Sequence, residues 1–327
     1  DAIFGAAPML GSSAAEEMST MNSAPAPLSA ELLPDDTAMD AVTLRVGDLE
    51  NMTGFYGSAL ALQPIEERAR GREVHRVLGR GGVPMVRLVH TPELPLAAPG
   101  SAGLFPTAFL FDDAATLAAT VYRTAQDGRA RFTGSSDHLV SEAFYFTDPE
   151  GNGIELYTDR SRDLWRHVDG EVQMDTLFLD PNEYLRTHLT QEALDRVSAE
   201  PGRVGHVHLQ VGDIAPARRF YVDALGFAPS FTAIPTALFA SAGGYHHHVA
   251  MNTWNSAGAG PRAASLGLGE LALAVADRSA LDALTERLRR SSFSFDDDGH
   301  AITAHDPWGT RVTVTIGGTS TDELLTR

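Results

Sequence analysis

The chain has 327 residues, and 25 Lys and Arg against 43 Asp and Glu give it a formal net charge of −18. Hydrophobic residues make up 43% and charged residues 21%, which is typical of a globular protein with a sizeable core, and the length predicts two domains. The negative charge disfavours nucleic acid and anionic membrane surfaces as partners. Because the chain has no Cys, disulfides and thiolate metal sites are excluded, and any metal must be held by His and carboxylate.

Two features of the chain bear on its location. No uninterrupted apolar run reaches the roughly 18 residues that a membrane span needs, and the first residues lack the basic segment of a secretory signal. We therefore expect a cytoplasmic protein with no membrane partner, and a homo-oligomer stays open. Residues 1–36 are rich in Ala, Ser, Pro and Met without a helical or strand period. They are predicted to form a mobile arm or in part an expression remnant, and an arm that covers a neighbouring subunit is the alternative.

An internal repeat organises the rest of the chain. VTLRVGDL (42–49) is followed by FYGSALAL (55–62), and VHLQVGDI (207–214) is followed at the same spacing by FYVDALGF (220–227). Each copy alternates apolar and polar residues, as a half-buried strand does, and then turns at Gly-Asp into a helix that carries Phe-Tyr. Repetition of this kind defines an architecture more firmly than local propensity does.

A weaker repeat lies between and after these copies. Its members are TAFLFDD (107–113) before a predicted helix over 114–126, LALAVAD (271–277) before a predicted helix over 278–290, and the closing segments DPEGNGIELY (148–157) and DPWGTRVTVT (306–315). The chain is therefore predicted to contain four strand–helix–strands units in two pairs. The connector between the pairs carries an amphipathic helical pattern near residues 191–198.

These motifs resemble those of the vicinal oxygen chelate superfamily, whose members include glyoxalase I, fosfomycin-resistance proteins and extradiol ring-cleaving dioxygenases. Residues 136–160, 205–213 and 243–254 in particular resemble the two-domain catechol 2,3-dioxygenase branch. The resemblance implies an α+β fold of four βαβββ units in two tandem domains, with open, curved mixed sheets and helices outside. The expected divisions are an arm (1–36), an N-terminal domain (37–160), a helical connector (161–203), a C-terminal domain (204–317) and a tail (318–327).

In this superfamily the metal ligands come from the first and last strands of the units. Carried over, those positions fall on Ala41, Pro106, Glu155, His206, Glu270 and Thr313. The usable ligands, Glu155 and His206, belong to units two and three, which implies a metal site where those units pair, unless Glu270 draws it toward units three and four. Relatives have His where this chain has Pro106, and His208, on the same strand face as His206, is one candidate to replace it.

Three further residues resemble parts of an extradiol site. His247, within the run 246–248, resembles the acid–base histidine, and an ordinary imidazole pKa of about 6.5 suits proton transfer. Tyr145 and His138 resemble the tyrosine and histidine that support the ligands. Strand alternation places His247 on the face opposite to its two neighbours.

Each of these residues also has a purely structural interpretation. Glu155 would be an exposed acid on an edge strand, and His206 with His208 a hydrogen-bonded core pair. Tyr145 would pack in the core, and His138 would lie in a solvated loop.

The resemblance implies a non-haem dioxygenase that uses Fe(II) and O2 to cleave the ring of a small, catechol-like aromatic substrate. A different metal, Mn, Zn or Ni, would accompany the alternative, which is isomerase, lyase or thiol-transfer chemistry on the same scaffold. A third hypothesis, supported by Pro106, is a metal-free paralogue that binds an aromatic ligand without catalysis.

Overall fold

The computed structural model describes residues 32–327, which form four βαβββ units and a connector. Unit one comprises β2 (Val42–Val46), α1 (Leu49–Leu60), β3 (Gln63–Arg70), β4 (Glu73–Arg80) and β5 (Val83–His90), preceded by β1 (Ala38–Met39). Unit two comprises β6 (Gly103–Leu110), α2 (Ala114–Gln126), β7 (Arg131–Asp137), β8 (Ser141–Thr147) and β9 (Gly153–Asp159).

The connector and the second half follow in the same pattern. The connector contains a 3-10 turn (Arg162–Leu164), β10 (His167–Val168), β11 (Glu171–Val172), β12 (Leu177–Phe178), α3 (Pro181–His188) and α4 (Gln191–Arg196). Unit three comprises β13 (Arg203–Gln210), α5 (Ile214–Arg218) with a π-helical continuation (Arg219–Ala224), β14 (Ala228–Phe231), β15 (Ala237–Ser241) and β16 (Val249–Asn252). Unit four comprises β17 (Gly267–Val275), α6 (Arg278–Arg290), β18 (Phe295–Asp297), β19 (Ala301–His305) and β20 (Arg311–Ile316), and α7 (Thr321–Thr326) follows it.

The units pair across the two halves of the chain. The first sheet has the order β18-β19-β20-β17-β2-β5-β4-β3, with β1 beside β17, and so joins units one and four. The second sheet has the order β12-β7-β8-β9-β6-β13-β16-β15-β14 and joins units two and three. Both sheets mix parallel and antiparallel neighbours, which confirms the α+β fold with open mixed sheets that the resemblance implied.

An aspartate begins the helix of every unit. In each case its side chain accepts a hydrogen bond from a backbone N–H of the first turn, which satisfies one of the donors that a helix start leaves free. The four N-caps are Asp48, Asp113, Asp213 and Asp277. The helices predicted over 114–126 and 278–290 are α2 and α6, and α4 covers most of the amphipathic pattern near 191–198.

The repeated Phe-Tyr and Asp-Pro motifs lock consecutive units together. Tyr56 in α1 donates its hydroxyl to Asp148 Oδ2 at 3.1 Å, and Tyr221 donates to Asp306 Oδ2 at 3.0 Å. Each aspartate also holds its own turn, because its Oδ1 accepts from two backbone amides, at 2.9 Å each for Asp148. The two motifs are thus the two sides of one buried contact, which links unit one to unit two and unit three to unit four.

Both predicted ends of the chain differ in part from expectation. Most of the predicted arm lies outside the described residues, but its last part is held in place: Leu33 is buried and its N–H donates to Gly226 O at 2.7 Å. The predicted tail contains α7, whose Leu324 and Leu325 pack on Ala41 of the first sheet. Two adjacent leucines in a short segment form no periodic pattern, so their burial could not be predicted from the sequence.

None of the helices within residues 32–327 is long and apolar enough to cross a membrane.

The buried Asp148 makes stability depend on pH. Burial raises its pKa to about 6, above the usual 3.8, although the hydrogen bonds from Asn152 and Tyr56 oppose the rise. The native carboxyl therefore keeps its proton where the unfolded chain has lost it, and the contribution of Asp148 to the free energy of unfolding falls as pH rises from about 4 to about 6. We expect Asp148→Asn to reduce that fall by about 1–3 kcal/mol in urea unfolding across this pH range.

Asp36→Asn, at an exposed position, is the control and should keep the wild-type pH profile. A profile for Asp148→Asn that matches the wild type would contradict the assignment.

Candidate metal centre

A row of paired residues crosses the middle of the second sheet. Tyr145 on β8 pairs with Glu155 on β9, Glu155 pairs with Ala108 on β6, and Ala108 pairs with His206 on β13. The small, fully buried Ala108 leaves room above the central strand, and Glu155 Oε2 reaches to 3.1 Å from His206 Nε2. Glu155 is 2% exposed on an interior strand, so it is not an exposed acid on an edge strand.

Three histidines converge beside this row. His206 and His208 lie on the same face of β13 with ring centroids 5.1 Å apart, and His208 Nε2 lies 2.9 Å from His247 Nε2. One nitrogen of each of the three rings lies within 4.8 Å of the others. Glu155 contacts this group through His206. The structure therefore brings together Glu155, His206, His208 and His247, from both halves of the chain.

The placement of His247 corrects the alternation argument. His247 Nδ1 lies 2.8 Å from His246 Nδ1, so the two rings are in contact and not on opposite faces. His248 turns elsewhere, and its Nδ1 accepts from the backbone N–H of Ala242 at 3.2 Å. Strand alternation does not apply to the run because β16 begins only at Val249.

Tyr145 and His138 lie on the other side of Glu155. The Tyr145 hydroxyl is 2.6 Å from His138 Nε2 and 3.3 Å from Glu155 Oε1, and it thus bridges the two side chains. His138 Nδ1 donates a hydrogen bond to the backbone carbonyl oxygen of Asp175 at 2.7 Å. Both ring nitrogens of His138 are engaged, unlike those of a solvated loop histidine.

Two further residues, His246 and Asp159, belong to this network and were not predicted from the sequence. His246 Nε2 lies 2.9 Å from Asp159 Oδ1, and the Tyr245 hydroxyl donates to Asp159 Oδ2 at 2.8 Å. A signal for Asp159 was present, because alternation along β9 places residues 155, 157 and 159 on one face. For His246 no such signal existed, since its direction depends on the irregular segment before β16.

Burial determines the charge of these groups. Desolvation lowers the pKa of His208 to about 3 and also lowers the pKa values of His246 and His247, so these rings are neutral near pH 7. Burial by itself would raise the pKa of Glu155, but the electrostatic attraction and the hydrogen bond of the neighbouring His206 ring outweigh that and hold the pKa at about 2. An ionised carboxylate therefore faces several electron-pair donors.

These residues fit a divalent metal ion. His206 Nδ1 is buried without a hydrogen-bond partner, so the cluster holds a polar atom that no protein group in the described residues satisfies. Two ligand atoms that bind one ion at right angles, each about 2.1 Å from it, lie about 3 Å apart. The separation of 3.1 Å between Glu155 Oε2 and His206 Nε2 matches that spacing.

Pro106 lies next to His208. It is buried on β6 and pairs with Gly153 of β9, two residues before Ala108. Because His206 pairs with Ala108 in an antiparallel ladder, His208 falls beside Phe105 and Pro106. A histidine at position 106, which the resemblance implies, would therefore lie next to His208 on the adjacent strand.

The corresponding positions of the first sheet carry different chemistry. Glu270 pairs there with Arg87 through a 2.6 Å ion pair, and Arg87 also donates to Thr43 at 2.9 Å. Units three and four do not share a sheet, so Glu270 cannot complete a site with His206 by strand pairing. Ala41 and Thr313 offer no imidazole or carboxylate.

An aromatic wall flanks the open side of the histidines. Phe239 lies 5.1 Å from His247 and 6.0 Å from His208 between ring centroids, and Phe105 lies 6.4 Å from His208. Trp254, which is 51% exposed, packs edge-on against Phe105 at 6.1 Å. Phe231 extends the wall behind Phe239 at 5.6 Å.

Comparison with known proteins gives consistent matches. A family model described as "Glyoxalase/Bleomycin resistance protein/Dioxygenase superfamily" matches residues 38–156 and 203–314. A catechol-2,3-dioxygenase of Bacillus subtilis (strain 168) is 31% identical over 280 residues, which cover 84% of this chain and 95% of the relative.

Solved structures share the fold. A proposed dioxygenase of Bacillus subtilis aligns with a TM-score of 0.61 at 13% identity, covering 88% of this chain and 87% of its own. Glyoxalase I from Zea mays aligns with a TM-score of 0.53 at 17% identity, covering 86% and 92%.

The contact between units two and three predicts which residues bind a metal. We expect Glu155→Ala and His206→Ala each to abolish binding of Co(II), measured by titration of the absorption spectrum, because each removes a proposed ligand at the central contact between the two units. Thr313→Ala and Ala41→Ser, at the matching positions of the first sheet, should bind like the wild type. Retained binding in Glu155→Ala with loss in Thr313→Ala would refute the location.

Proposed function

The chain belongs to the Glyoxalase/Bleomycin resistance protein/Dioxygenase superfamily, and we propose that it is a metal-dependent extradiol-type dioxygenase that cleaves the ring of a catechol-like substrate. The observation that carries the proposal is the convergence of Glu155, His206 and His208 from two units. One carboxylate and two imidazoles on one face are the donor set of non-haem Fe(II) oxygenases. The catechol-2,3-dioxygenase that is 31% identical supports the same reaction.

In this proposal Glu155, His206 and His208 hold the metal, Fe(II) in the first place and Mn, Zn or Ni as alternatives. When bound, the ion would bring the two adjacent oxygens of the substrate and O2 together and favour electron transfer between them. Two imidazoles and one carboxylate leave part of the coordination sphere free for these molecules.

Proton transfer falls to His247. Burial lowers the pKa of His247 well below the ordinary 6.5 that was expected from the sequence, so the ring is neutral near pH 7 and its Nε2 can take a proton from a substrate hydroxyl. Tyr145 and His138 hold Glu155 from behind, because the tyrosine hydroxyl bridges His138 Nε2 and Glu155 Oε1. Such partners of a ligand fix its orientation and influence metal affinity.

The aromatic wall supports an aromatic substrate. Phe105, Phe239 and Trp254 border the side of the cluster where His208 is only half-buried. A ring placed against edge-on aromatic side chains gains contact area and quadrupole attraction. None of these three side chains is charged. An uncharged aromatic wall favours a flat, neutral ring whose polar groups all lie on the side of the histidines.

The activity itself can be tested directly. We expect protein loaded with Fe(II) under anaerobic conditions to consume O2 and form a yellow ring-opened product when catechol and O2 are added. Glu155→Ala should show only background uptake, and Tyr145→Phe should lower the rate about 10- to 100-fold. Absence of O2 uptake across a panel of catechols and hydroquinones would contradict the proposal, and tight catechol binding without metal would favour a binding protein.

A rescue experiment tests whether His208 replaces the histidine absent at Pro106. We expect His208→Ala to weaken Co(II) binding about tenfold or more, and Pro106→His in the same chain to restore most of it, because the two positions are neighbours on adjacent strands. Thr107→His, whose side chain points to the other face of β6, is the matched control and should restore nothing. Wild-type affinity in His208→Ala would show that His208 is not a ligand.

A further inference from the structure

A chain of hydrogen bonds leads from Asp159 to the metal-ligand cluster. Asp159 Oδ1 lies 2.9 Å from His246 Nε2, His246 Nδ1 lies 2.8 Å from His247 Nδ1, and His247 Nε2 lies 2.9 Å from His208 Nε2. His246 and His247 are buried, with 0% and 6% exposure, so water does not substitute for these contacts. The contacts account for both ring nitrogens of each.

The Asp159 carboxylate determines where the protons lie along this chain of hydrogen bonds. A carboxylate only accepts, so His246 must donate from Nε2, and a neutral imidazole then has a bare Nδ1. His247 must therefore carry its proton on Nδ1, which leaves a lone pair on Nε2. We infer that Asp159 and His246 are positioning residues that hold His247 in this one tautomer, with its Nε2 lone pair directed at His208 and the ligand cluster.

The surroundings hold the relay rigid. Tyr245 donates to the second oxygen of Asp159 at 2.8 Å, which fixes the carboxylate plane. The His246 ring packs against Tyr245 at 4.1 Å and against Trp165 at 5.4 Å, measured between ring centroids. Rotation of the His246 ring would break both of its hydrogen bonds and open these contacts.

The inference deepens the proposed function and rests on it for its chemical meaning. With the proton on Nδ1, His247 presents to the substrate side a nitrogen that can accept a proton or an ion. The opposite tautomer would present an N–H there and could do neither. The relay thus determines which nitrogen of His247 takes part, while Asp159 itself touches no substrate.

The tautomer can be measured in metal-free protein. Long-range 1H–15N spectra of protein labelled with 15N-histidine show which ring nitrogen carries a proton, and loss of one signal set in His247→Gln identifies His247. We expect Nδ1–H at His247 in the wild type. Asp159→Ala, or His246→Phe should the first variant not fold, is expected to move the proton to Nε2 or to give a mixture.

Tyr245→Phe is the matched control, because it removes a partner of Asp159 but leaves the contact with His246; it should keep the wild-type tautomer. In parallel, Asp159→Ala should weaken Co(II) binding or slow turnover about 10- to 100-fold, as loss of an outer partner does. Nε2–H in the wild type, or a tautomer unmoved by Asp159→Ala and His246→Phe, overturns the inference. If the proton of His247 moves in these variants but the wild-type protein does not bind metal, the relay is supported and only the proposed function is refuted.

Discussion

The antiparallel ladder between β6 and β13 is the constraint on which the candidate site depends. It brings Ala108 of one half beside His206 of the other, and Glu155 reaches the same point from the far side of β6. A shift of the ladder by one residue would turn His206 to the opposite face of the sheet. A carboxylate buried to 2% exposure without its partner would also be costly, so the ladder and the Glu155–His206 contact support each other.

The ladder is in turn held by the way in which the four units close on one another. Units two and three, and units four and one, share sheets, whereas the Tyr56–Asp148 and Tyr221–Asp306 contacts join unit one to two and unit three to four. Each unit is thereby bound to two others by different kinds of contact. Hydrogen bonds at the turns join the two units within each half of the chain, and strand pairing joins units of different halves. The tandem order and the cross-paired sheets are therefore compatible.

The two sheets use the same repeat for different purposes. In the second sheet the polar positions over the centre are Glu155, His206 and His208, and their further partners, Tyr145 and His247, bring no opposite charge to the carboxylate. In the first sheet Glu270 is neutralised by Arg87, and α7 packs over neighbouring strands. A buried ion pair of opposite charges leaves no charge for a cation to balance, which explains physically why the duplicated architecture yields one candidate centre within residues 32–327.

Pro106 stands where the resemblance implies a histidine, and it offers no donor to the candidate centre. Side chains on adjacent strands lie within reach of the same point above a sheet, so a donor can pass from β6 to β13 without any change in the backbone. His208 and His247 occupy the space beside Pro106, and the Asp159–His246 pair orients the second of them. The donors are thus concentrated on unit three, with Glu155 as the one carboxylate from unit two.

The sequence by itself determined the repeat and the helices at 114–126 and 278–290, because each depends on local periodicity or on a motif of fixed spacing. The four βαβββ units, the candidate ligands Glu155 and His206 and the pairing of unit two with unit three came from the resemblance of those motifs to a known family, and His208 was added because it shares a strand face with His206. Only the tertiary structure showed the pairing itself, since strand pairing between distant segments leaves no local pattern. The same holds for the direction of His247 and for the relay through His246 and Asp159. Their geometry arises in an irregular segment before β16, where no period relates one side chain to the next and packing against Trp165 and Tyr245 decides how the rings are held.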